Sequence, residues 1–454
     1  MSRLFHPSVY DTSRPVPSYW EETAPPPQDA FVPLTGDEQC DVAVIGGGYT
    51  GLSAAYHLAR DHDIDVRVLE AGQIGWGASA RNGGFCCLPA TKLSVEQMTR
   101  LYGLEETRRF WTAQLEGIAL VEELIETEGL DVDRQGDGNL EVAHRKSAFA
   151  GLRDYGQLLT QRFGIPTRLL SREAFAEELH DSTEQFGGLH MGAGFALHPL
   201  KLLSGLAQAA TARGARLHGR SAVTAWERGD GQHRLITSGG SLRARRVVLA
   251  TNGFTPDDLH PRFAARTLPA LSNIVTTRPL SDDELAAQRW RLGTPMTGAP
   301  VCNSRTMLFY YRLLPDRRLL FGARGDHSGR PEDSQRMKSW MVRRLGEVFP
   351  AWRGVPISHF WRGLVCLTQR LTPAIGRLDD DPNVWFGFGY HANGVNTAPW
   401  AGRALARMIA GSNRGLDELP APIRGLPPRF PLPALRPWML RGAYLYYQIR
   451  DDWL

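Results

Sequence analysis

With 454 residues the chain is long enough for two intimately joined domains, each burying its own core. A hydrophobic share of 42%, a charged share of 22% and a net charge of only +4 describe an ordinary globular protein and give no reason to invoke nucleic acid. The start carries no signal-like apolar run, no stretch reaches the roughly 18 apolar residues of a membrane span, and the five cysteines are odd in number, so a cytoplasmic protein is the default expectation.

Residues 1–39 are rich in proline (Pro15, Pro17, Pro25, Pro26, Pro27, Pro33), which excludes a regular helix and predicts an extended arm over the body. Asp41-Val-Ala-Val-Ile45 is then a short buried strand, followed by Gly46-Gly-Gly-Tyr-Thr-Gly51, a helix over 52–60 and a second strand, Val66-Arg-Val-Leu69, ending at Glu70. Helical periodicity runs over 94–130, 147–163, 172–179 and 199–213. Strand patterns follow at 215–217, 222–226 and 246–250, then across 267–325, including a hairpin of 307–314 and 318–323. A last strand, 384–388, enters a glycine-punctuated turn and a helix through about Ala410. These βαβ units, interrupted by strand-rich stretches, predict an α/β fold: a Rossmann-like nucleotide domain built from several segments, with an inserted α+β substrate domain on a mixed antiparallel sheet. The expected division is an arm at 1–39, a discontinuous nucleotide domain at 40–95, 186–255 and 355–415, a substrate domain at 96–185 and 256–354, and an extension at 416–454.

Three constellations carry chemistry. In Gly46-x-Gly48-x-x-Gly51 the glycines permit a tight turn, close backbone approach to a pyrophosphate and close helix–strand packing, with the phosphates on the helix N-terminus. Glu70 accepts from ribose hydroxyls and repels a 2′-phosphate, which argues against an NADP-type ligand. Gly46, Gly48, Tyr49, Thr50, Gly51 and Glu70 therefore form the expected ADP site, which by itself fits either NAD or FAD. The second is Gly75-Trp-Gly-Ala-Ser-Ala-Arg-Asn-Gly-Gly84, whose Ala78, Ser79, Arg81, Asn82, Gly83 and Gly84 make a donor-rich loop suited to a ligand extending past its pyrophosphate toward a flavin. The third is Gly389-Tyr-His-Ala-Asn-Gly-Val395, a glycine-punctuated turn in which Gly389, Gly394, Val395 and Asn396 lead into the last helix.

With these motifs in order, the chain resembles the D-amino-acid oxidase superfamily of FAD-dependent oxidoreductases over roughly residues 36–415, and its GWGASARNGG run is most similar to the gamma-glutamylputrescine oxidase-like branch. The resemblance extends to Leu249-Ala-Thr-Asn-Gly253, with Ala250 and Gly253 closing the FAD domain, and to Val223, which corresponds to a position facing adenine. Ala392 departs from the family pattern, which carries a glycine there. The resemblance implies hydride transfer from a C–N carbon of an amine or amino acid to flavin N5, then imine hydrolysis. It also places the Phe309–Arg312 and Leu319–Arg324 stretches over the flavin, making Tyr310, Arg312 and Arg324 expected substrate contacts, with Tyr311 and Arg312 beside the chemistry and His391 as proton shuttle or substrate contact.

Cys366 stands one residue from the position of a flavin-linked cysteine in sarcosine oxidase-like relatives, and one residue along a strand is the opposite face, so FAD is expected to be non-covalent. No CxxC pair or histidine spacing calls for a metal, and adjacent Cys86 and Cys87 are expected to be buried thiols. Oxygen and a quinone-type or protein acceptor both remain open as the oxidant: of the four lysines, Lys201 opens a helix of the nucleotide domain and Lys92 is only a rough match for an oxygen-activating group. A flavoprotein that modifies a macromolecule without small-molecule turnover is the alternative from another class.

Overall fold

The computed structural model describes residues 3–25, 31–411 and 416–453. Two eight-stranded sheets carry the architecture. In the first, the strand Gly36–Ile45 lies between Val66–Leu69 and Gly240–Leu249, all parallel, with Arg216–His218 outside the former and Val384–Phe388 outside the latter. Ala374–Arg377 closes one edge antiparallel, and the hairpin Ala225–Gly229/Gln232–Ile236 leans off Gly240–Leu249. The continuous apolar run Val42–Ile45 fits this central place, because both faces of a parallel strand are covered. Helices Tyr49–His62, Pro199–Ala212 and Gly394–Ile409 pack side by side.

The second sheet runs, from one edge, Ile357–Leu367, Leu268–Thr277, Leu319–Arg324, Phe309–Leu313, Val301–Asn303, Asn139–Val142, Gly188–Met191 and Thr167–Leu170. All pairings are antiparallel except Val301–Asn303 with Asn139–Val142. This sheet corrects two expected boundaries. Gly188–Met191 and Ile357–Leu367 were assigned to the nucleotide domain, yet both are strands of the substrate sheet. The latter has only a half-buried alternation, ISHFWRGLVCL, which suits an edge strand over a cavity better than a doubly covered parallel strand.

The helical stretch 94–130 is two helices, Val95–Tyr102 and Leu104–Thr127, parted at Gly103, whose φ of 83° no other residue type adopts readily. Within the N-terminal segment, a single helical turn, Tyr19–Thr23, forms directly after Pro17 because Ser18 caps it by accepting from the Glu21 amide. Its Tyr19 and Trp20 are buried with Ile274, Leu320 and Trp361 of the substrate sheet. Pro26 and Pro27 lie outside the described residues. The C-terminal helix Arg436–Trp453 buries Leu440 and Tyr444 in a cluster with Leu268, Leu271 and Leu364. No helix among the described residues is long and apolar enough to cross a membrane.

Candidate active site

A cavity of about 340 Å³ lies between the two sheets. That falls within the roughly 300–1,000 Å³ usual for ligand pockets. Two helices point their N-termini at it. Gly48, Tyr49 and Thr50 start one, Gly394 and Val395 the other, and neither helix is capped by the side chain of its own N-cap residue. Free amides and two positive dipole ends converging on one space make a receptor for a ligand carrying negative charge at two separated points.

The glycines behave as their spacing requires. Gly46 has a φ of 109°, and a Cβ there would stand 2.8 Å from the Ala250 carbonyl oxygen; at Gly51 it would overlap the carbonyl of Gly46. Glu70 accepts from the amides of Gly47 at 2.7 Å and Gly72 at 3.0 Å, so its carboxylate is fixed at the strand end, and burial raises its pKa. Val223 sits in the apolar cluster that holds Ile45 and Leu69. Ser79 reaches the first helix N-terminus, its Oγ 3.1 Å from the Tyr49 amide, and Ala78, Arg81, Asn82 and Gly83 border the void with it. Arg81 stacks on Trp76 at 4.0 Å and donates to its carbonyl, while Nη2 is buried without a partner among the described residues. That orphaned guanidinium N–H, together with the uncapped termini and the fixed carboxylate, is the donor and acceptor set FAD requires, and these residues fit it. Gly84 and Gly253 support the site from behind: the first lies against Leu197 and Arg312, the second against Cys366 and Leu364. Ala250 lines the void. Asn252, which sequence reasoning passed over, does so too, and its Oδ1 accepts from the Gly389 amide at 2.8 Å.

Asn396 is not in the site. Its Nδ2 donates to the Gln114 carbonyl, because one step past Val395 the helix turns toward Leu104–Thr127. Tyr311 is a second correction: strand alternation puts it on the far face, where its hydroxyl meets His180 at 3.0 Å amid Trp290, Phe321 and Phe349. Arg312 is the third. It shares the face of Tyr310, yet its guanidinium is only 1% exposed, donates to the carbonyls of Gly83 and Leu197 and to Gln135, and lies 5.4 Å over Trp20. The N-terminal segment closes that end of the sheet, so Arg312 fastens the loop 82–84 instead of meeting a substrate. His391 does border the void. His391 Nε2 lies 3.2 Å from the Thr368 hydroxyl and accepts from the Thr368 amide at 3.5 Å, and Nδ1 is buried without a partner among the described residues. Burial and then Lys92 push its pKa down to about 3, so the expected proton-shuttle role does not fit a ring that stays neutral.

Tyr310 and Arg324 face the void as expected. Tyr310 lies flat across its neighbour strand because Gly322 has no side chain: a Cβ there would sit 2.0 Å from the ring. This carries the phenol to Ser272 at 2.9 Å. Three further residues complete the far end: Lys92, Glu141 and Tyr155. Burial lowers Lys92 to about 7 and raises Glu141 to about 7. The signal for Glu141 was a lone acid between Leu140 and Val142 in a buried strand, Asn139–Val142, that the sequence reading left unassigned. Cys86 and Cys87 are buried free thiols.

Residues 41–408 match the FAD-dependent oxidoreductase (DAO) family, and the chain belongs to it. It is 33% identical to the gamma-glutamylputrescine oxidoreductase of Escherichia coli (strain K12) over 93% of this chain and 95% of that one. It is 25% identical to the glycine oxidase of Bacillus licheniformis over 82% and 93%. Among solved structures, glycine oxidase from Geobacillus kaustophilus aligns with a TM-score of 0.66 and 21% identity, covering 82% of this chain and 95% of its own. The protein is thus an FAD-dependent oxidoreductase.

Proposed function

We propose that the protein oxidises a C–N bond of an amine or amino acid held between the Gly394–Ile409 helix terminus and the Tyr310 face of the substrate sheet. The observation that carries this reading is the continuity of one void from the pyrophosphate-type turn at Gly48 to the polar pocket of Lys92, Glu141 and Arg324. The names of the relatives, an amine and an amino-acid oxidoreductase, support it. Bound FAD supplies the hydride acceptor at its N5, and the imine product hydrolyses in water. The chain supplies position and field. The Gly394 helix terminus stabilises negative charge at the ring end without a side-chain base. Tyr310, Ile274 and Leu364 wall that space, and the neutral His391 holds the turn that opens the helix. Oxygen or a quinone-type acceptor completes the cycle, and comparing reoxidation in air with reoxidation by a quinone analogue separates them. Anaerobic bleaching of the flavin by a panel of amines and amino acids tests the proposal; absence of bleaching by every member refutes it.

A further inference from the structure

A second cavity, of about 470 Å³, opens where the strand Leu319–Arg324 ends, bordered by the helix Pro331–Val348 and the C-terminal helix Arg436–Trp453. The C-terminal helix presents Arg441, Tyr444 and Leu445 to it, at the i, i+3, i+4 spacing of one helix face. Arg324 comes from the strand end and also lines the active-site void, so its guanidinium belongs to the wall between the two spaces. Acids and bases around the second cavity are unevenly matched. Asp326 accepts from Arg362 at 2.9 Å and from the amides of Ser328 and Gly329 at 2.9 and 3.1 Å, so its carboxylate is fully used. Asp333 accepts from Arg336 at 3.1 Å and from the Ser328 hydroxyl. His327 stands edge-on to Tyr444, with ring centres 6.1 Å apart. That leaves Arg324 and Arg441, neither of which makes an ion pair among the described residues. Three donors here, Arg324 Nη2, Arg441 Nε and the Tyr444 hydroxyl, are buried without a partner among the described residues. Tyr444 is only 8% exposed, and burial pushes its phenol up to about 12, so it keeps its proton. A buried donor without an acceptor costs free energy, and a buried cation without a counter-charge costs more. Three such donors lining one cavity, two of them cationic, complement a group that carries negative charge on several oxygens.

We infer that the second cavity is a binding site for a phosphate-type oxyanion, seated between Arg324, Arg441 and the Tyr444 hydroxyl, and that its occupancy is coupled to the active-site void through Arg324. A phosphate group has an oxygen for each of the three donors, whereas chloride offers a single acceptor atom. A guanidinium drawn toward the second cavity contributes less positive potential to the void. Anions in the two spaces therefore weaken each other, and by linkage they do so by the same factor. This holds whichever substrate the void takes.

The test uses the FAD-loaded full chain at constant ionic strength. Isothermal calorimetry with inorganic phosphate, methyl phosphate and sodium chloride measures binding at the second cavity. Perturbation of the flavin spectrum by acetate, with and without saturating phosphate, measures the void. Phosphate is expected to bind saturably, with a dissociation constant of about 1 mM or tighter, and chloride to give no saturable heat. Methyl phosphate separates the sources: binding as tight as phosphate assigns the site to a phosphate ester, and much weaker binding assigns it to the free ion. Saturating phosphate should weaken acetate about fivefold. Arg441→Gln and Tyr444→Phe change side chains that do not line the void, and the phenylalanine keeps the packing of the ring. Each should weaken phosphate about tenfold or more, remove its effect on acetate, and leave the flavin spectrum and the acetate affinity without phosphate unchanged. The absence of saturable phosphate binding, equal heats with chloride, or unaltered phosphate affinity in both variants overturns the inference. Antagonism of acetate that persists in both variants places the phosphate in the void itself and overturns it too.

Discussion

The indole Nε1 of Trp20 donates to the backbone carbonyl of Asn82 at 2.9 Å, tying the N-terminal segment to the loop that borders the flavin site. A second tie runs the same way, from Trp76 Nε1 to the Arg14 carbonyl at 3.0 Å. The segment is therefore a structural part of the candidate cofactor site. Trp20→Ala removes a buried indole at a cost of about 3–5 kcal/mol. It should lower both the thermal midpoint and the ratio of flavin to protein absorbance after purification, whereas Trp20→Phe, losing mainly one hydrogen bond, should cost about 1 kcal/mol. Full flavin content in Trp20→Ala would separate the arm from the site.

Arg312 offers a sharper contrast with what its sequence context predicts. Replacing it by alanine leaves three acceptors (the carbonyls of Gly83 and Leu197, and Gln135) without a donor, at a cost of about 3 kcal/mol or more. The expected phenotype is a lower melting temperature together with lost flavin. An Arg312→Ala enzyme with normal flavin content and a raised KM alone would restore the carboxylate-binding role.

Charge at the far end of the void should turn over near neutrality. Lys92 faces Arg324, Cys302, Cys87 and Glu141, and burial with the Arg324 charge brings it down to about 7; Glu141, raised by burial and opposed by Lys92, meets it there. Below that pH Glu141 is neutral, and above it Lys92 is neutral. Affinity for a simple carboxylate probe such as acetate is thus expected to weaken as the pH rises through 7. Lys92→Met and Glu141→Gln should each remove part of that fall, measured by flavin-perturbation titrations at a series of pH values.

Ala392 has a φ of 82° where the family pattern has glycine, a conformation costing an L-residue about 1–2 kcal/mol. Glycine relieves this but gains freedom in the unfolded chain, so Ala392→Gly should stabilise by about 0.5 kcal/mol, a rise of about 1 °C in the melting midpoint. A fall would show that the alanine methyl makes a contact of greater value.

Cys366 alternates with Val365 along its strand, and it and Leu364 lie against Gly253, while burial pushes the thiol pKa up to about 12. A thiol held neutral is a poor nucleophile. Acid precipitation of the holoenzyme should leave all yellow colour in the supernatant, and Cys366→Ser should change neither colour nor its release; colour retained in the pellet would refute non-covalent binding.

The turn proposed to hold the ADP half was legible as a turn because its physics is local. Gly46, Gly48, Gly51 and Glu70 act within one βαβ unit, so their spacing carries their geometry. The substrate end was not, because it is assembled by register between strands far apart in the chain. Glu141 meets Tyr310 only through Val301–Asn303, and nothing near residue 141 announces that. Arg312 misled for a related reason. Its strand and face were read correctly from alternation, but what covers that end of the strand is Trp20, almost 300 residues upstream in sequence.

The order in which the nucleotide sheet is completed has a consequence in time. Within its sheet Gly36–Ile45 comes first in chain order, yet its neighbour Gly240–Leu249 is translated about 200 residues later and Val384–Phe388 later still. At roughly 5–20 residues per second the nascent strand waits about 10 s or more with one hydrogen-bonding edge open. Throughout that interval its apolar run Val42–Ile45 relies for shelter on earlier-made segments such as Val66–Leu69 and the helix Tyr49–His62, or on the cell's folding machinery.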